Sequence, residues 1–146
     1  MPTVTDGPLL LDPTERSAWL VPLSEAARRV RRVAYAPYSS YQVGAALLAA
    51  DGRVFLGVNV ENAAFPTCVC AEVNALGSAV AAGARHFVAV AVAAASRPGG
   101  EPVMPCGNCR QALAEFGSDL FVVSVPPEGP LGPVILLRDL LPGAFR

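Results

Sequence analysis

The stretch VGAALLAADGRVFLGV, residues 43–58, decides the fold class. Two apolar runs, Val43 to Ala50 and Arg53 to Val58, flank Asp51-Gly52. Asp-Gly between such runs is a strong short-range hairpin signal, so this segment reads as two strands joined by a tight turn. Upstream the pattern is helical. Asp12 is placed as a cap and Pro13 suits a first turn. Pro22 lies inside the pattern and predicts a kink or a fresh helix start. Leu23 to Tyr35 then reads as a helix with Leu23, Ala26, Ala27, Val30, Val33 and Ala34 on its apolar side, terminated by Pro37. Residues 1–12 carry no clear period and read as a loose arm.

Downstream, Asn59 to Val69 has no clean period, contains Pro66, and reads as a loop. Cys70 to Ala82 is rich in Ala, Val and Leu and ends at Gly83, as a glycine-capped helix does. Phe87 to Ala95 is a continuous apolar run suited to a strand buried on both faces. A loop from Pro98 to Pro105 leads to a helix from Cys106 to Phe116. Strands follow at Leu120–Val125 and Val134–Leu137, then a terminal turn ending in Phe145. Helix, hairpin, helix, strand, helix, strand, short strand: this alternation predicts an α/β fold, a mixed sheet covered by helices. Residues 13–146 form a single domain on this reading, with no internal repeat.

The chain has 146 residues, a typical length for one domain. Its 53% hydrophobic and 16% charged content is that of a folded protein with a substantial core. The formal net charge is −1, so no overall basic field draws in long nucleic acid. Arg28, Arg29, Arg31 and Arg32 read as the solvated face of a helix. The first residues lack a basic leader, and Pro8 and Pro13 break their apolar run. Val88 to Ala95 is too short to span a bilayer. A cytoplasmic location is therefore expected, and in a reducing compartment clustered cysteines suggest metal or catalysis.

Three cysteines fall at predicted helix starts: Cys70 opens one, and Cys106 and Cys109 open another. Unsatisfied amides and the partial positive charge at a helix N-terminus favour the thiolate, the form that binds metal. The two-residue gap between Cys106 and Cys109 lets both sulfurs reach one ion, with Cys70 as the third ligand. Zinc with three protein ligands keeps a fourth position for water, which marks a catalytic site. Glu72, two residues beyond Cys70, is placed to take a proton from that water and deliver it to a substrate. A ligand, one residue, Glu, and a later P-C-x-x-C complete the zinc-deaminase pattern.

Cys70-Ala71-Glu72 with Pro105-Cys106-Gly107-Asn108-Cys109-Arg110-Gln111 resembles the short-chain cytidine deaminases. Ala36-Pro37-Tyr38-Ser39, Val43-Gly44-Ala45-Ala46, Asn59-Val60-Glu61-Asn62-Ala63 and Leu140-Leu141-Pro142-Gly143-Ala144-Phe145 do so as well, in order from about Tyr35 to the end. The resemblance implies a three-layer α/β/α domain with a mixed five-stranded sheet, one zinc ion per subunit and assembly as a homotetramer. It implies deamination of cytidine and deoxycytidine, with a zinc-bound hydroxide attacking C4 and Glu72 shuttling protons. Asn59 and Glu61 match residues that hold ribose hydroxyls. The Ala71 amide matches a donor to the pyrimidine carbonyl, and Tyr41 matches a residue beside the base. Phe65 and Phe145 match aromatic positions that complete active sites, partly those of neighbouring subunits.

The chain departs from this family at Val73-Asn74, where Arg-Thr is usual. Three thiolates around a divalent cation carry a net charge of about −1, which a guanidinium offsets. Without it the zinc-bound water is less acidic, unless Arg110 or the Asn74 amide donates to a sulfur. An apolar residue after Cys-Ala-Glu also resembles blasticidin S deaminases, and it leaves room for a weakly active, nucleoside-binding relative. The Asn59–Ala63 signature speaks for cytidine. Tyr41 stands where Phe is usual, and its hydroxyl needs a partner if buried. Two competing readings concern the cysteines: Cys68 as a fourth ligand closing a structural site, and a redox pair at Cys106 and Cys109. His86 reads as a residue near a helix end, and Trp19 as packing.

Overall fold

The computed structural model of the chain describes residues 13–146; Asp12 and the arm before it lie outside the described residues. The hairpin forms as read. Strand β1 (Gly44–Ala49) pairs antiparallel with β2 (Val54–Val58), Gly44 opposite Val58 and Leu48 opposite Val54. Ala49 N–H donates to Arg53 O and Gly52 N–H donates to Ala49 O, so the loop has three residues, with Gly52 at φ 91°. Glycine tolerates this left-handed conformation, which closes a type I turn in a three-residue hairpin. The Asp51 carboxylate accepts the Arg53 N–H and fixes the loop.

β1 also pairs antiparallel with β3 (Phe87–Ala93); β3 pairs parallel with β4 (Phe121–Val125), and β4 antiparallel with β5 (Val134–Leu136). The sheet is mixed and five-stranded, in the order β2-β1-β3-β4-β5. Alternating side chains sort the core into two. Ala46, Leu48, Ala89, Ala91 and Val123 pack with Leu23 and Ala27 of helix α1 (Pro13–Arg31). Ala45, Leu47, Val90, Val92 and Val122 pack with Ala71 and Ala75 of α2 (Ala71–Ala81) and Leu113 of α3 (Gly107–Ala114). The result is three layers, α/β/α. β3 lies between them and is buried beyond its first residue, which is why it reads as unbroken apolar sequence. The terminal turn contains one further helical turn, α4 (Leu137–Leu140), with Leu137 fully buried.

Two expectations change. Of the two outcomes read for Pro22, a fresh helix start does not occur; one helix runs through it. Burial of Leu23, Ser24 and Ala27 against the sheet outweighs the backbone bond a proline removes, and Ser24 Oγ donates to Leu20 O at 2.7 Å. The helix also stops at Arg31 rather than Tyr35. Tyr35 is taken by a strand-like bridge instead: its N–H donates to Asn59 O at 3.0 Å and its carbonyl accepts Glu61 N–H at 2.9 Å.

The pairings bring the end of β2, the start of β1 and the end of β3 to one edge, with Gly44 opposite both Val58 and Ala93. α2 starts there, pressed onto β2 at Gly57. A Cβ at Gly57 would lie 2.2 Å from Ala71 O and 2.4 Å from Ala75 N, so only glycine fits.

Candidate active site

Both cysteine-bearing helices begin at this edge. Cys70 is the N-cap of α2 and Cys106 that of α3, each with extended backbone, and Cys109 lies in the first turn of α3. First-turn amides have no intrahelical acceptor and favour negative charge nearby. The sulfurs of Cys70, Cys106 and Cys109 all lie within 4.8 Å of one another. Cys70 and Cys106 are 3.8 Å apart, and Cys106 and Cys109 3.6 Å. Tetrahedral thiolates about 2.3 Å from zinc stand about 3.8 Å from each other. The donor set therefore fits one zinc ion and, among the described residues, supplies three ligands and leaves the fourth position open.

Cys68 is not part of the triangle. Its exposed thiol receives the Asn62 N–H at 3.3 Å and donates to Asn62 O at 3.6 Å. A closed four-cysteine site does not form. His86 is exposed and lies outside the cluster.

Three thiols this close do not ionise independently. Hydrogen bonds from Cys109 and Cys106 hold Cys70 down to about 6, against burial and the Glu72 charge. Cys109 is pushed up by its bond to Cys70 and by burial. No cation among the described residues acts on either sulfur. Arg110 Nε donates to Pro105 O and its Nη1 to Leu140 O, both at 2.7 Å. Asn74 Nδ2 donates to Val58 O at 2.8 Å. Neither side chain substitutes for the missing arginine at a sulfur. Arg110 instead braces the residue before Cys106 against α4.

Glu72 is 5% exposed, and burial raises its carboxyl above the ordinary glutamate value. It opens on a cavity of about 200 Å³ shared with Cys70, Cys106, Ala71 and Asn59, walled by Val43, Val92, Val103 and Met104. Of these four, Val43 lies in the Val43–Ala46 motif and Val92 in the apolar run from Phe87, whereas Val103 and Met104 fall in a loop that gave no site signal. A second cavity, of about 580 Å³, adjoins the first at Val103, Met104 and Cys106 and is bordered by Tyr41. The extra hydroxyl of Tyr41 finds its partner in Ala95 O at 2.6 Å.

Asn59 Oδ1 accepts Val43 N–H at 2.9 Å and its Nδ2 donates to Tyr41 O at 2.8 Å. Glu61 Oε1 accepts the N–H groups of Tyr38 and Ser39 at 2.9 and 3.1 Å, and Oε2 accepts the Ser39 hydroxyl at 2.5 Å. These bonds, the Ser39 hydroxyl first, hold the Glu61 carboxyl below its ordinary value. Phe65 and Phe145 are 70% and 86% exposed and do not line the cavity of this single chain. Phe65 meets Tyr38 edge to face at 6.0 Å. Among the described residues, no helix is long and apolar enough to cross a membrane.

Residues 17–125 match the family described as the cytidine and deoxycytidylate deaminase zinc-binding region. A cytidine deaminase of Halalkalibacterium halodurans is 45% identical over 124 residues, covering 84% of this chain and 91% of the relative. One of Mycobacterium tuberculosis is 40% identical over 112 residues, 77% of this chain and 78% of the relative. Among solved structures, cytidine deaminase from Burkholderia pseudomallei superposes with a TM-score of 0.79 at 48% identity, covering 86% of this chain and 98% of the other. The sulfur triangle, the buried glutamate beside it and these likenesses agree: the chain belongs to the cytidine and deoxycytidylate deaminase family of zinc-binding proteins.

Proposed function

We propose that the protein is a zinc-dependent cytidine deaminase, a hydrolase converting cytidine and deoxycytidine to uridine and deoxyuridine in pyrimidine salvage. The observation that carries this reading is the shared cavity: the Glu72 carboxyl, two of the three zinc-binding cysteines and Asn59 all open on it. Cys70, Cys106 and Cys109 hold one zinc ion per subunit. When bound, zinc supplies Lewis-acid chemistry, making a water molecule acidic enough to act near neutral pH.

The remaining work falls to the chain's own groups. Glu72 takes a proton from the attacking water and delivers one to the departing amino nitrogen. The water oxygen adds to C4, one of its protons passes to ring N3 and the other to the amino nitrogen, and the C4–N4 bond then breaks, so one water is consumed and one ammonia released. A carboxyl raised by burial suits a group that must both accept and give a proton. The first-turn amide of Ala71 is free to donate to the pyrimidine carbonyl. Asn59 keeps one Nδ2 hydrogen and one Oδ1 lone pair, and Glu61 keeps an Oε2 lone pair, for ribose hydroxyls. Tyr41 stands beside the base.

Phe65 and Phe145 are large apolar side chains left in solvent, which single-chain packing does not explain. In a homotetramer they complete the cavities of neighbouring subunits. A small nucleoside substrate rather than long nucleic acid accords with the net charge of −1, and a cytoplasmic setting belongs to the same reading.

Ultraviolet absorbance of cytidine mixed with zinc-loaded protein tests the reading. Conversion to uridine that stops on chelation and resumes with added zinc is the expected result. Full zinc occupancy without conversion of either cytidine or deoxycytidine would overturn it.

A further inference from the structure

Val58 is the last residue of β2 and lies opposite Gly44. Hydrogen-bonded pairs of this ladder are set by Ala49 with Arg53 and by Val43 with Asn59, through Ala49 N–H to Arg53 O and Asn59 N–H to Val43 O. Antiparallel pairs alternate, so Val58, one residue from Asn59, directs its peptide groups away from β1. Among the described residues β2 is the edge of the sheet, with no strand beyond it. The Val58 carbonyl is met there by Asn74 Nδ2 at 2.8 Å.

Asn74 lies one turn beyond Cys70, and its N–H donates to Cys70 O at 3.1 Å. The same residue thus bonds, through its main chain, to a cysteine of the sulfur triangle and, through its side chain, to the peptide that precedes Asn59. Gly57 allows these two segments to approach closely enough for the bond. Val60 closes the other end, exchanging main-chain bonds of 3.0 Å with Val69 just before Cys70.

We propose that Asn74 is a positioning residue: its hydrogen bond to Val58 O sets where Asn59 and Glu61 stand relative to the zinc cysteines, and so tunes binding of the sugar. This rests on the assignment of Asn59 and Glu61 to the ribose. Loss of the bond frees the end of β2 to shift while leaving Cys70, Cys106, Cys109 and Glu72 in place. Sugar contacts then weaken, and contacts to the base and the chemical step persist.

The test compares two competitive inhibitors, uridine and 2′,3′-dideoxyuridine, which differ only in the sugar hydroxyls. Zinc content and thermal unfolding are measured alongside. In Asn74→Ala with zinc retained, the inhibition constant of uridine rises about tenfold, the effect of losing one hydrogen bond's positioning. That of 2′,3′-dideoxyuridine and the kcat for cytidine stay within about threefold, less than half that free energy. An equal change for both inhibitors, or none for either, would overturn the proposal. Should Asn74→Ala lose zinc, Asn74→Asp, of the same shape but without the donor, decides by the same ratio. Glu61→Ala serves as the reference. If it leaves the ratio unchanged, the ribose assignment itself fails and the proposal falls with it; if it alone changes the ratio, only the role of Asn74 is overturned.

Discussion

Asn59 Oδ1 accepts the Val43 N–H at 2.9 Å, in the ladder position that a main-chain carbonyl would otherwise occupy. The Asn59 carbonyl has turned away to the Tyr35 N–H at 3.0 Å, and Nδ2 holds Tyr41 O. One side chain therefore ends the β1–β2 ladder and joins the segments that border the cavity. Asn59→Ala leaves a half-buried amide and a carbonyl without partners, at a cost of about 1–3 kcal/mol. Chemical denaturation will show this loss. Asn59→Asp, which keeps the acceptor for Val43, will lose less.

The sulfur triangle predicts a pattern of thiol reactivity. In zinc-loaded protein, iodoacetamide will label the exposed Cys68 and spare Cys70, Cys106 and Cys109. After chelation at pH 7, Cys70, held near 6, will be labelled well before the buried Cys109, whose thiol is pushed up. Mass spectrometry of the labelled peptides reads both results. Cys68→Ala will keep its zinc, whereas Ala at any of the other three will lose it.

Gly57 permits the approach of α2 to β2. Gly57→Ala places a Cβ 2.2 Å from Ala71 O and 2.4 Å from Ala75 N, both backbone atoms that cannot rotate aside. Overpacking of this kind costs about 1–3 kcal/mol. The displaced first turn of α2 also carries Cys70 and Glu72, so zinc affinity will fall together with the unfolding temperature.

Glu61 offers a pH test away from the metal. Ser39 and Tyr38 hold its carboxyl below the usual glutamate value. A depressed acid contributes stability that is present above the unfolded value and lost as pH falls through the folded one. In Ser39→Ala the folded value will rise toward the unfolded one, narrowing that window. A carbon-13 NMR titration of the Glu61 carboxyl in both proteins measures the shift.

Much of this was legible in the chain because local signals agreed with tertiary ones. Asp51-Gly52, the apolar run at Phe87 and the cysteines at the two helix starts each mark a residue type that its environment demands. Where prediction missed, a non-local contact decided. Pro22 stays helical because its neighbours are buried against the sheet, and Tyr35 leaves the helix because Asn59 and Glu61 lie across from it.

The site divides in the same way. Helix starts and the Cys-x-Glu and P-C-x-x-C spacings group Cys70, Glu72, Cys106 and Cys109, because all four sit in or next to the first turns of two helices. The cavity walls come from three segments; Val43 lies in a motif of the resemblance, whereas Val92, Val103 and Met104 carry only apolar character. Arg110 and Asn74 were legible as polar residues near the cysteines, but not as donors to Leu140 O and Val58 O, since nothing in the sequence places those carbonyls within reach. The residue at Val73 offers no charge in compensation.

In the proposed function Glu72 moves the proton in a site built on three cysteines. Its most direct test is the kcat for cytidine of zinc-loaded Glu72→Gln, with metal content measured on the same sample. One zinc per subunit and a kcat lower by about 10²–10⁴-fold are expected, the usual contribution of a positioned acid–base group. Undiminished turnover at full zinc occupancy would contradict it.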